Sequence, residues 1–541
     1  MKNYKIILIC ILFSSGLFAQ WVYNNGGKIV IGTGTSFNIA GTGGNYRNET
    51  NVTDGSIDLS GTLMIAGNVT NNVAATDILT TAASGSTVVF DGTALQTLGG
   101  STTAAFNFAN LTVNGTIGVI VSKNAQVNGN LTLTNGVVEI GNNNFTFGPT
   151  ATVVGIPSAT NMIIAIGGGQ VLKYWPAVGS FTFPVGDFSL SSTYSPVTLN
   201  FTSGTFAPGA IVGVNLVASK FNDPSITGSY LNRYWNITQT GITAFACDAT
   251  FQYLATDITG IEADISTLRM LPLPVTVFNP ASVATHQLSA TGLTDFGTFT
   301  GGPGNKMLNL TTFLEGPFNG TTAMNSTLNG TPQLIPLTQP FNVAPWNYAG
   351  AESVTAIPAG VVDWVLVELR DAATPATATT SFWKKACFLK SDGTIVDLDG
   401  LSLLNMGRPT IANNLYVIVR HGNHLGIMSA TGMALTGNNY SYNFTTAITQ
   451  AYGGAAGYKE IVPGIFGMVA GDADADGQIS VLDFSLWATD FGNIGVYSAT
   501  DMDMDGQISV LDFSKWATNF GITTPVLGPH PQVSYKSQIP E

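Results

Sequence analysis

The chain has 541 residues, 62 of them glycine and only 9% charged, with a formal net charge of −13. That length suffices for several domains with cores of their own, and a composition rich in Gly, Thr, Asn and Val suits short strands joined by turns while arguing against long surface helices. Nine Asp against one Lys fall within residues 472–520, so the remainder is nearly neutral and offers no electrostatic case for nucleic acid or an anionic membrane surface.

Residues 1–19 read as a secretory signal peptide: Lys2 and Lys5 form a charged n-region, residues 6–18 an apolar core, and Ala19 suits cleavage. The expected location is secreted or at a bacterial cell surface. No later run is long and apolar enough to span a bilayer as a helix. Cys247 and Cys387, left after the signal, are too few for a disulfide framework.

Residues 20–160 cycle through short apolar strands punctuated by Gly and Asn. The near-copies Asn110-Leu111-Thr112-Val113-Asn114-Gly115 and Asn130-Leu131-Thr132-Leu133-Thr134-Asn135-Gly136 lie 20 residues apart, a period that suits one coil of a parallel β-solenoid. The segment resembles the β-helical, adhesin-like N-terminal regions of secreted bacterial surface proteins. An antiparallel β-sandwich is the structural alternative. The coils lack the converging acidic and basic residues that a polysaccharide lyase groove needs.

Residues 161–302 carry longer, more aromatic strands, such as Gly179-Ser180-Phe181-Thr182-Phe183 and Arg233-Tyr234-Trp235-Asn236-Ile237. Their alternation predicts a β-sandwich-like domain, with the aromatics either in its core or forming a sugar-stacking platform. Gly301-Gly302-Pro303-Gly304 reads as a linker. Residues 303–468 form a further β-rich domain, whose most strand-like run is 361–370; Asp363, Val365, Val367 and Leu369 share one face of it, and Trp364, Leu366, Glu368 and Arg370 the other. Asp392-Gly393 marks a hairpin turn. This run, the turn and Arg420-His421-Gly422-Asn423-His424-Leu425 together resemble a domain of large exported bacterial surface proteins that end in dockerin-like repeats, which implies an architecture rather than a reaction.

Residues 469–522 hold the most specific pattern. Asp472, Asp474, Asp476 and Asp483 stand at loop positions 1, 3, 5 and 12 with Gly477 at 6, and Asp501, Asp503, Asp505, Asp512 and Gly506 repeat the set 29 residues later. This is the spacing of an EF-hand-type calcium loop; position 7, here Gln478 and Gln507, contributes its backbone carbonyl, and Ser480 and Ser509 at position 9 act through a water. Magnesium, smaller and slower to lose its waters, suits the loops less well. Each loop precedes one amphipathic helix, with Phe484, Trp487, Ala488 and Phe491 in the first stripe and Phe513, Trp516, Ala517 and Phe520 in the second.

A loop with a single following helix, duplicated within so short a span, resembles the type I dockerin module. The resemblance implies two bound Ca2+ ions and a cohesin-like or other surface partner. In dockerins the partner contacts the end of the loop and the start of the helix, which here are Val481-Leu482 and Val510-Leu511; these differ from the Ser-Thr pair of cellulosomal dockerins, and Leu482 and Leu511 have inward packing as their alternative. Residues 523–541, with Pro525, Pro529, Pro531 and Pro540, read as an extended tail.

Other candidate chemistry is sparse. His421 and His424 with Asp397 or Asp399 form a candidate transition-metal set only if a turn at Gly422-Asn423 makes the rings converge; ordinary structural histidines are the other reading. Glu315, Glu352, Glu368, Asp363, Asp397 and Asp399 show no spacing that singles out a glycosidase pair. No catalytic residue or organic cofactor is assigned. The expected protein is therefore mainly β: an N-terminal β-solenoid, β-sandwich-like domains and a small α-helical, dockerin-like calcium module. Its expected role is that of an exported, non-catalytic adhesin or structural protein, with a dockerin-bearing, glycan-binding or polysaccharide-degrading component as the alternative.

Overall fold

The computed structural model describes residues 21–520, apart from 42, 75 and 189–191, together with residues 539 and 540. The signal segment and most of the tail lie outside the described residues. The chain is mainly β with two C-terminal α-helices, and it divides into two compact units, residues 1–304 and 305–541.

In the first unit the early strands pair in parallel. Val22–Asn25, Tyr46–Glu49 and Val69–Asn71 are successive neighbours in one ladder, Ser36–Ile39, Thr62–Ile65 and Thr87–Phe90 in a second, and Lys28–Ile31, Ser56–Leu59 and Leu79–Ala82 in a third. The parallel direction removes the antiparallel-sandwich alternative for this segment. Asparagines at the turns fix the stacking: the Asn45 side chain accepts from the backbone N–H of Asn68, 23 residues on, and Asn68 accepts in turn from Thr97. Asn110 accepts likewise from Asn130. Such side chains satisfy backbone donors that a tight turn leaves unpaired. Alternate residues of each strand then point inward, as in the buried Leu63 and Ile65 or Val88 and Phe90.

The ladder direction changes at Val171–Tyr174, which pairs in parallel with Phe145–Phe147 but antiparallel with the long strand Val197–Val217. That strand pairs with Tyr234–Gln252, which continues antiparallel to Gln287–Leu293 and Thr298–Pro303. The result is sandwich-like. One apolar core nevertheless runs without a break from Ile31 to Phe299, so the boundary expected at residue 160 is not a division between compact units. Trp235 and Phe183 are wholly buried within this core. Arg233, 2% exposed, is held by Asp187 and, through two bonds of 3.0 Å, by Asp257.

The expected linker is instead partly strand. Gly301 and Gly302 lie buried in Thr298–Pro303, and a Cβ on Gly301 would come within 2.7–2.8 Å of Leu231 and Ile265. These glycines serve close packing; the division between the units falls just beyond them, at Gly304.

The second unit is built on the sheet order Ile427–Met428, Asn414–Arg420, Val361–Ala372, Ser381–Lys390, Thr394–Val396, Met307–Thr311, Asn439–Asn443 and Ala434–Thr436. The central strand is buried from Val361 to Arg370, which explains why apolar residues occur on both of its faces and why its Asp363, Glu368 and Arg370 each have a polar partner. Asp392-Gly393 forms the hairpin turn into Thr394–Val396, with Gly393 at φ +83°. The last elements among the described residues are helix α1, Val481–Asp490, and helix α2, Val510–Asn519. No helix among the described residues is long and apolar enough to cross a membrane.

Candidate metal centre

Both acidic loops fold in the same way. Gly477 and Gly506 at position 6 have φ of +84° and +86°, and position 4 is also left-handed, at Ala475 and Met504, so each loop turns sharply and directs its alternate carboxylates inward. The ligand-capable oxygens of Asp472, Asp474 and Asp476 lie within 4.8 Å of one another, as do those of Asp501, Asp503 and Asp512. Asp483 and Asp505, expected in the same sets, fall outside these trios.

Asp483 accepts backbone N–H groups from Ala473 at 2.7 Å, Asp474 at 3.3 Å and Ser480 at 2.6 Å. Asp512 repeats the arrangement with Met502, Asp503 and Ser509. Ser480 and Ser509 are helix N-caps, each accepting from the N–H two residues on. The position-12 carboxylate and the position-9 serine together form a capping box. The expected ligand positions are therefore also the start signal of each helix. Gln478 and Gln507 at position 7 donate their backbone N–H to Asp476 and Asp505.

The electrostatics of the loops are unfavourable as they stand. Asp472 is 3% exposed and its Oδ1 has no hydrogen-bond partner; burial first, and the carboxylates of Asp483, Asp476 and Asp474 second, push its pKa well above the usual carboxylate range. Burial raises Asp501 to about 7 and Asp503 to about 6, with neighbouring carboxylates adding to both. Asp474, Asp483 and Asp512 are raised chiefly by burial.

The two helices meet through their aromatic stripes. Phe484 lies 5.1 Å from Trp516 and Trp487 5.2 Å from Phe513, between ring centroids. Trp487 Nε1 donates to Ser509 O at 2.9 Å and Trp516 Nε1 to Ser480 O at 2.8 Å, so each copy ties down the other's N-cap. Val481, Leu482, Val510 and Leu511 are all more than half exposed, which overturns the inward-packing alternative for the two leucines.

The module is anchored to the preceding sheet by contacts that the sequence did not reveal. The backbone carbonyl of Asn423 accepts from Gly471 and Asp472 at the start of the first loop, and its side chain donates to Asp501 O, at the start of the second, at 2.6 Å. Glu315 accepts from Lys459 at 2.6 Å, Asn519 at 2.7 Å and the Ala470 N–H at 3.1 Å. Lys515 donates to the Glu315 backbone carbonyl.

His421 and His424 do converge, with ring centroids 4.9 Å apart, but their nitrogens are already engaged. His424 Nε2 accepts from Gly316 N at 3.0 Å and its Nδ1 lies 2.6 Å from Asn423 Oδ1. This places the His424 proton on Nδ1. His421 Nδ1 accepts from Asn423 N, and its Nε2 donates to Asp363, which also accepts from Tyr497 at 2.9 Å. Burial, helped by His421 and Lys515, holds the His424 pKa well below the usual value. The pair is a structural relay and lacks free ligand atoms; Asp397 and Asp399 are occupied with Lys385 and with Ser402.

The other candidate carboxylates are also engaged. Glu368 is held by Arg420 at 2.5 Å and Ser381 at 2.6 Å; despite its burial, Arg420 and these bonds lower its pKa. Glu352 accepts from Tyr348 at 2.5 Å. Glu368 and Arg420 line a cleft of about 540 Å³ that Asp472, Asp476 and Gly477 of the first loop also line. No protein-family model matches the chain, and no curated protein or solved structure is significantly similar to it.

Proposed function

We propose that residues 469–522 are a dockerin-like module that binds two calcium ions, in an exported, non-catalytic adhesin or structural protein of the bacterial surface or matrix. The observation that carries this reading is the buried, unpartnered Oδ1 of Asp472 among further carboxylates, in a loop whose turn residues, caps and acids recur in a second copy. An all-oxygen, carboxylate-rich donor set in a sharp turn suits calcium. Asp472, Asp474, Asp476, Asp483 and the Gln478 carbonyl would hold one ion, and Asp501, Asp503, Asp505, Asp512 and the Gln507 carbonyl the other. Bound calcium supplies the positive charge that allows these acids to remain ionised together.

In this reading the parallel ladders of the first unit are the coils of a β-solenoid, in which each coil buries its face on the next. The exposed Val481-Leu482 and Val510-Leu511 are the docking face for a cohesin-like or other surface protein. A second reading, in which the module caps its own sheet, is favoured by the Asn423 and Glu315 anchors.

Titration calorimetry on the full chain tests the proposal. Two calcium ions per chain are expected, one lost in Asp472→Ala and the other in Asp501→Ala; no binding would refute it. Capture from envelope and secreted fractions separates the readings: a partner that requires calcium and is lost in Leu482→Asp/Leu511→Asp supports docking, and calcium binding without a partner leaves the cap.

A further inference from the structure

A small apolar groove of the second unit, whose Gly426 also lines the cleft beside the first acidic loop, already holds an occupant. Ala372 and Ala378, with Tyr416, Ile418 and Met428 from neighbouring strands, form a buried cluster against which Ile539 packs. Gly426 lies beside it: a Cβ there would come within 3.1 Å of Ile539 Cδ1, so the absence of a side chain leaves room for the isoleucine. The Arg370 guanidinium donates to Ala378 O at 2.8 Å and also to the carbonyl of Pro540. Arg370 is itself buried at the end of the central strand. The groove thus offers an apolar seat for a branched side chain and a fixed cation for the next carbonyl. Proline suits the second position, since it has no N–H to satisfy and favours an extended chain before it.

We propose that this groove is a binding site for an aliphatic-proline segment, and that its occupant is the chain's own Ile539-Pro540, which acts as a clasp in cis. Residues 521–538, which join α2 to this segment in sequence, can span up to about 60 Å when extended. Seating Ile539 beside Gly426 closes the chain between them into one long loop that contains both acidic loops and both helices. Closure of this kind restricts the unfolded and undocked states of everything inside it. The clasp therefore holds the module against the sheet whether or not the loops carry calcium.

The test uses the full chain with Gly426→Cys and Ile539→Cys together, oxidised or bridged by a short bismaleimide, with and without a chelator. An intramolecular cross-link in the monomer, identified by peptide mass, is expected in both conditions. A parallel measurement follows tryptic cleavage after Lys536: Ile539→Asp should accelerate it by about fivefold or more, the scale of losing one half-buried aliphatic side chain, and Ile539→Val should leave it close to the parent rate. Failure to cross-link in a chain that keeps its circular dichroism, or equal cleavage rates in all three proteins, would overturn the clasp. Cross-linked dimers would also overturn it and assign the groove to the tail of a second copy.

Discussion

Replacing Asn423 with alanine should weaken the second unit without replacing any candidate calcium ligand. Asn423 is 3% exposed. Its amide donates to Asp501 O at 2.6 Å and its Oδ1 lies 2.6 Å from His424 Nδ1. Alanine removes both bonds, leaving the buried Asp501 carbonyl short of a partner and the His424 ring N–H with the longer contact to His421 Nδ1 at 3.1 Å. Each such loss costs roughly 1–2 kcal/mol in a dry site, so about 2–4 kcal/mol is expected in total. The backbone carbonyl of residue 423 still receives Gly471 and Asp472, so the first loop keeps its anchor and the second loses its own. Peptide-resolved hydrogen exchange on the full chain, in chelator, reads this directly. Faster exchange is expected across residues 501–520 and around His424, with little change in residues 21–304. Uniform exchange with no change near Asp501, or a stability loss below about 0.5 kcal/mol, would refute the role of Asn423 as the bridge between the loops.

Three further outcomes follow from other parts of the chain. Lys173 is 5% exposed, its Nζ bonded to the carbonyls of Gly148 and Pro149, and burial lowers its pKa to about 8. Because the folded value lies below the unfolded one, the cost of its charge is present below about pH 8 and is relieved as pH rises towards 10.5. That cost is at most about 3 kcal/mol before the carbonyl bonds offset it, and Lys173→Met should flatten the rise in melting temperature between pH 8 and 10; an unchanged slope would refute this. Arg233→Ala should cost about 3–5 kcal/mol by stranding Asp187 and Asp257, whereas Arg233→Met with Asp187→Asn and Asp257→Asn should recover much of the loss in denaturant titrations. Leu482→Asp with Leu511→Asp should shift stability by no more than about 0.5 kcal/mol, since both side chains are mostly in solvent; a larger loss in thermal unfolding would show that the leucines pack.

The acidic loops were legible because their information is local. Twelve residues fix the turn, the acids and the cap, and the copy 29 residues later repeats all three. The parallel pairing of the early strands was legible for a related reason, since Asn110 and Asn130 mark one turn position in successive strands and the structure joins them by a hydrogen bond. The anchors of the module were not legible. Glu315 and Asn519 are separated by 204 residues, and nothing in the sequence near either one names the other. The linker reading failed at Gly301 because glycine has two uses, flexibility and close approach, and only the facing side chains of Leu231 and Ile265 distinguish them.

The same distinction between local and distant information bears on how the module works. Its two copies are related by repetition, down to the reciprocal bonds from Trp487 and Trp516, and repetition alone would leave them equivalent. The sheet breaks that equivalence. The first loop enters through backbone bonds to Asn423 and borders the cleft beside Glu368 and Arg420, whereas the second is gripped through the Asn423 side chain, and the segment between the copies places Tyr497 on Asp363. Ordering either loop therefore draws on contacts with the sheet that the other does not share. If calcium orders these loops, the two sites should differ in affinity despite nearly identical ligands, and the difference should shrink when Asn423 is replaced. The Val481-Leu482 and Val510-Leu511 pairs, 52–61% exposed, carry no such difference in exposure between the copies.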